Sequence, residues 1–97
     1  MTYFLYHDDI SSEVKFGDVV AIDTETMGLN LQRDRLCLVQ ISAGDGNAHL
    51  VQIAADQKPC PNLAHLLADS SCEKLFHFGR FDIAMLKQHI GPLHGPL

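Results

Sequence analysis

Two apolar runs, LCLVQIS (36–42) and AHLVQI (48–53), are separated by the five residues AGDGN (43–47). That spacing constrains the fold more than any other feature. An Asp-Gly step between two strand-like runs is a strong hairpin signal, because a tight turn needs residues that tolerate positive φ. A third run, VVAID (19–23), is β-branched and apolar and is the best strand of the chain. The polar stretch GLNLQRDR links it to the hairpin. Three strands joined by short links are expected to be antiparallel.

Further along, the period changes. Pro59 and Pro61 end a loop, Asn62 is placed to cap a helix over LAHLLAD, and Leu63, Leu66 and Leu67 share one face of it. KLFHF (74–78) reads as a fourth strand. Gly79 opens a second helix that runs to about Ile90 and is stopped by Gly91 and Pro92. The segment YFLY (3–6) suits a short edge strand. A helix between the third and fourth strands permits a parallel crossover. The pattern predicts one α/β unit: three antiparallel strands, then helix, parallel strand, helix.

Bulk properties narrow the function classes. At 97 residues the chain is long enough for one small domain and not for two. Seven Lys+Arg against twelve Asp+Glu leave a formal charge of -5. That argues against a general nucleic-acid coat protein, which needs a basic footprint. It does not exclude an enzyme that brings cations to phosphates, since the ions then belong to the local field. No run approaches the roughly 20 apolar residues of a membrane span, so no membrane partner is expected. The opening MTYFLYHDD has no basic segment before its apolar residues and does not resemble a signal peptide. Cys37, Cys60 and Cys72 are odd in number and widely spaced, which suggests reduced thiols and a cytoplasmic location.

The stretch AIDTETMGL places Asp23 and Glu25 two apart at the end of a strand. Their side chains then point the same way. Two such carboxylates repel, and a hard divalent cation such as Mg²⁺ or Mn²⁺ removes the conflict. The plainer alternative is a solvated strand end. A third acid, Asp82, lies near the start of the second helix. On a helical wheel it falls between Phe81 and Met85 on one side and Leu86 and Ile90 on the other. An acid amid an apolar sector faces the core or a cleft beside it. Its alternative is a first-turn acid favoured by the helix macrodipole. If the 74–78 strand lies beside the 19–23 strand, all three carboxylates converge at strand ends, where open sheets bind ligands. Such a cluster suits phosphoryl transfer with two metal ions.

Taken in order, DTETMGL and KLFHFGRFDIAML resemble the first and second motifs of the DEDD, or DnaQ-like, superfamily of 3'-5' exonucleases. The flanking RDRLCLVQIS resembles the ribonuclease D branch. DRLCLVQISAGDG together with KLFHFGRFD is closer still to the nano-RNases of type C, which cleave dinucleotides. The resemblance implies an RNase H-like fold, two divalent metal ions, and 3'-5' hydrolysis of short single-stranded RNA or dinucleotides to nucleoside 5'-monophosphates. It implies that Asp23, Glu25 and Asp82 hold the metals, that Thr24, Met27, Gly28 and Leu29 line the 3' end, and that His77 and Phe81 sit near the nucleotide pocket. Two alternatives stand beside it: trimming of longer structured RNA, and a nucleotide-binding module without turnover.

The family's third motif carries a fourth acid with a Tyr or His four residues before it. No Asp or Glu follows Asp82 here, so neither His89 nor His94 takes that role. The chain is therefore expected to be the N-terminal part (1–97) of a single exonuclease domain, and to be inactive alone. Apolar surface such as Leu36, Leu38, Phe76 or Met85 is expected to lie partly bare, favouring association into homo-oligomers.

Overall fold

A computed structural model describes residues 2–27, 35–56, 59–76 and 80–95. Its elements in chain order are β1 (Thr2–His7), β2 (Val19–Thr26), β3 (Leu36–Ser42), β4 (Asn47–Gln52), α1 (Pro61–Ala68), β5 (Glu73–Leu75) and α2 (Arg80–His89). The strands form one sheet in the order β1-β4-β3-β2-β5. β2, β3 and β4 are mutually antiparallel, as short links require. β5 lies parallel to β2, with Val19 opposite Glu73 and Ala21 opposite Leu75. β1 lies parallel to β4 at the other edge.

The β3–β4 turn falls where the sequence places it. Gly44 and Gly46 have φ of 79° and 85°, a region that side chains disfavour. The Asp45 carboxylate accepts from the Asn47 amide at 3.0 Å, and the Thr2 amide donates to the Gly46 carbonyl at 2.9 Å. The turn thus starts both the returning strand and the pairing of β1.

The core lies on one face of the sheet. Val20 and Ile22 of β2, Val39 and Ile41 of β3 and Val51 of β4 are buried, with Leu63 and Leu67 of α1 and Met85 and Leu86 of α2. On β2 burial alternates residue by residue over Val19–Asp23, the signature of a strand with one packed face. The opposite face carries Val19, Ala21 and Leu75, all exposed. Of the apolar residues expected to lie partly bare, Leu38 and Phe76 are half-buried, but Leu36 and Met85 are not. Leu36 and Met85 are buried, because both belong to the helix-covered side. Among the described residues the fully exposed large apolar side chains are Tyr3, Phe4, Leu5, Val19, Met27 and Leu75.

Long-range contacts fix α1 at both ends. Asn62 is not its cap. The helix begins at Pro61, and the Asn62 side chain donates to the Ile10 carbonyl at 2.9 Å. Capping comes from Asp9, in the loop after β1, whose carboxylate accepts from the amides of Asn62 and Leu63, each at 2.9 Å. At the far end, Lys74 of β5 is fully buried, and its ammonium donates to the carbonyls of Asp69 and His94. Gly95 packs there, with φ of 89° and Ser70 and Cys72 carbonyl oxygens 2.9 and 3.0 Å from where a Cβ would stand. Among the described residues, no helix is long and apolar enough to cross a membrane.

Asp9→Ala should destabilise the fold by about 1–2 kcal/mol, since it orphans amides of the first helical turn. Urea unfolding checks this: the midpoint should fall with the slope unchanged.

Candidate active site

Parallel pairing brings the C-terminal ends of β2 and β5 together. β5 stops at Leu75, opposite Ala21, whereas β2 continues to Thr26. The extension carries Asp23, Thr24 and Glu25. α2, entered from β5, brings Asp82 in its first turn to the same strand end. A register shift between Glu25 and Thr26 marks a bulge in the β2–β3 ladder there, a device that re-aims side chains. The Met27 amide donates to the Arg35 carbonyl at 3.1 Å, and Arg35 Nη1 donates to the Ile53 carbonyl at 2.8 Å.

Asp23 and Glu25 are exposed, and Thr24 between them is half-buried. The alternation of strand side chains puts Thr24 on the helix side and the two acids on the uncovered side. Asp82 is only 8% exposed. Thr24 Oγ1 donates to Asp82 Oδ1, and the Thr24 amide donates to Asp23 Oδ1 at 3.0 Å. Burial pushes the Asp82 carboxyl above the ordinary aspartate range, the Thr24 hydrogen bond pulls it back, and the Asp23 charge adds to the rise. The two acids therefore sense one another across the strand.

The donor set suits a hard divalent cation: oxygen ligands only, with mutual repulsion for the ion to relieve. Among the described residues, however, no three His, Cys, Asp or Glu side chains are gathered closely enough to hold an ion. Asp23, Glu25 and Asp82 share a strand end without closing into a cage, because Thr24 stands between the helix-side acid and the other two. Phe81 is half-buried against the core, and Met27 is exposed at the strand end. Gly28, Leu29 and His77 lie outside the described residues.

The sequence reading did not single out the neighbours of Asp23 on the uncovered face. Ala21, Asp23, Gln40, Ser42, Leu75 and Phe76 line an open cavity of about 320 Å³. Gln40 is the ladder partner of Asp23, and Ser42 that of Ala21. The antiparallel register of two recognised strands was the available signal for both.

This mixed sheet, with acids at the C-terminal ends of parallel neighbours, has the RNase H-like exonuclease architecture. Residues 6–96 match the 3'-5' exonuclease family, and the chain belongs to it. Within that class it is similar to NrnC of Brucella melitensis, with 53% identity and a TM-score of 0.88 over 96% of this chain and 46% of that one. An apo nuclease structure is 50% identical, with a TM-score of 0.91 over 97% of this chain and 46% of its own. Ribonuclease D of Zymomonas mobilis is 30% identical over 88 residues, 91% of this chain and 23% of the relative. The chain thus spans under half the length of these proteins.

Asp82→Asn should stabilise the fold at neutral pH. An acid whose folded pKa is raised holds its proton more tightly when folded, so ionisation weakens the fold as pH rises through that value. Below the ordinary aspartate range both states are protonated and the penalty is absent. Thermal unfolding should show a gain for the variant at neutral pH that shrinks towards zero in acid.

Proposed function

We propose that this chain is the N-terminal part of a metal-dependent 3'-5' exoribonuclease that hydrolyses short RNA or dinucleotides to nucleoside 5'-monophosphates. One observation carries the reading: the β2–β5 pairing brings the first-motif Asp23 and the second-motif Asp82 to one strand end, linked through Thr24. Similarity to NrnC supports the substrate class, since one structure of that protein is bound to pGG. Another holds Mg²⁺. The EXD2 exonuclease domain, soaked in Mn and GMP, is 26% identical with a TM-score of 0.64.

Asp23, Glu25 and Asp82 would hold two divalent ions, Mg²⁺ or Mn²⁺. When bound, such ions lower the pKa of the attacking water and stabilise the leaving oxygen. The protein's part is orientation. Asp23 and Glu25 present carboxylates from a rigid strand, and Asp82 presents one from a helix packed on the same sheet. Thr24, Met27, Gly28, Leu29, His77 and Phe81 are proposed to contact the nucleotide or its surroundings. Cys60 and Cys72, buried thiols whose pKa burial raises, are inert as nucleophiles and fit the reducing cytoplasm.

A second reading, a nucleotide-binding module without turnover, is favoured by the unclosed arrangement of the three acids. One experiment separates the two. In the full-length protein, Asp23→Ala should lower metal-dependent cleavage of a dinucleotide by about a hundredfold or more. Its stability should stay within about 0.5 kcal/mol, since Asp23 is exposed. Turnover on a twenty-nucleotide RNA should be slower than on the dinucleotide. An unchanged rate in Asp23→Ala removes that residue from the site, and a wild-type protein that binds nucleotide without cleaving it establishes the second reading.

A further inference from the structure

We propose that the uncovered face of the sheet is an interior surface, against which the part of the full-length protein beyond residue 97 packs. The inference rests on the reading of this chain as an N-terminal part and adds where the remainder docks.

The first support is the character of the face. The buried residues of α1 and α2 pack on the other side, with Val20, Ile22, Val39, Ile41 and Val51. Side-chain alternation leaves Val19 and Ala21 of β2, Leu38 of β3, Leu50 of β4 and Leu75 of β5 to the uncovered side. Val19 and Leu75 are 40% and 46% exposed. Leu5 of β1, the ladder partner of Leu50, extends the same surface to the far edge. Every strand therefore contributes an apolar side chain to it, and apolar surface of this kind marks a contact site. The open cavity of about 320 Å³ between β2, β3 and β5 lies within it, with Ala21, Leu75 and Phe76 in its wall. Asp23 lines the same cavity, so an occupant seated there lies beside a motif acid.

The second support is the sequence of the central strands. LCLVQIS and AHLVQI are nearly continuous in apolar character. A strand with one wet face alternates, whereas a near-continuous run belongs to a strand covered on both faces. Here the helices cover one.

The third support identifies the occupant. The chain spans 46% of NrnC of Brucella melitensis, so more than half of a protein of that length remains to be placed. The segment after α2 already stands at the β5 border of the sheet. The His94 amide donates to the Leu67 carbonyl at 2.9 Å, and Lys74 of β5 holds the His94 carbonyl. A covering segment joined through the chain also docks without the cost of bringing two molecules together.

The test uses the full-length protein in its native state, with thiol labelling read by intact mass over the wild-type background. Leu75→Cys should react at least about a hundredfold more slowly than Glu13→Cys, which stands in the exposed loop before β2. Val19→Cys repeats the measurement at a second position, so a misfolded Leu75 variant does not decide the result. Benzoylphenylalanine incorporated at position 75 should crosslink on illumination to peptide beyond residue 97 of the same molecule. Labelling at both positions as fast as in Glu13→Cys overturns the inference. A crosslinked product of doubled mass overturns it by assigning the face to a second copy, and protection that needs an added dinucleotide overturns it by assigning the face to substrate. Turnover of the dinucleotide by the wild-type protein judges the exonuclease reading separately: a protected, self-crosslinked face without turnover upholds this inference and removes that activity.

Discussion

β5 lies parallel to β2 because α1 carries the chain back across one face of the sheet, and every spatial relation among the motif residues follows from that crossing. An antiparallel return would have reversed β5 and sent the start of α2 towards the Val19 end of β2. The parallel return sends it to the Thr26 end, where Asp23, Thr24 and Glu25 stand. The crossing is secured at both ends of α1. Asp9 satisfies the amides of its first turn, and Lys74 binds the Asp69 carbonyl just past its last. Neither contact lies in the site, yet both hold the frame on which the site is drawn.

Among the described residues the buried charged or polar side chains are His49, Lys74 and Asp82, and the last two are treated differently. Lys74 has carbonyl oxygens of Asp69 and His94 directed at its ammonium, each 2.5 Å away. A buried cation with dedicated acceptors is a structural fixture. Asp82 has the Thr24 hydroxyl as a donor and the Asp23 carboxylate as a like-charged neighbour. Its environment works against the charge it would bear at neutral pH. Local energy spent against the fold in this way is characteristic of groups kept for binding or chemistry. The contrast separates the acid from the lysine more firmly than burial does, since both are nearly inaccessible.

Local patterns carried much of this fold. β3 occupies the span that its apolar run predicts, and β4 is displaced by a single residue because its pairing with β1 begins at Asn47 opposite Thr2. Asp82 stood out on a helical wheel because 3.6-residue periodicity is a local property. What depended on distant partners was hidden. Asn62 has the chemistry of a helix cap, but Asp9 reaches the helix first from a loop far back in the chain. Leu36 and Met85 looked exposable because sequence shows that a residue is apolar and not which face receives a helix. Thr24 was legible as a member of a motif, but its bond to Asp82 required the register of β2 against β5 and the starting point of α2 together.

The alternation of side chains along β2 gives the last step. Two acids at alternate positions must share a face, so the residue between them must take the other. Helices cover that other face. Any acid delivered by a helix on the covered side therefore meets the middle residue before it meets the pair. In this chain the middle residue is a threonine, restricted at χ1 by its branched Cβ, and its hydroxyl donates to Asp82 Oδ1. Valine would offer the same shape and leave the acid without a donor, whereas serine would donate from a less restricted rotamer. In a D-x-E strand beside a parallel neighbour, the central position thus faces the covered side, and here its hydroxyl donates to the acid that the helix carries there.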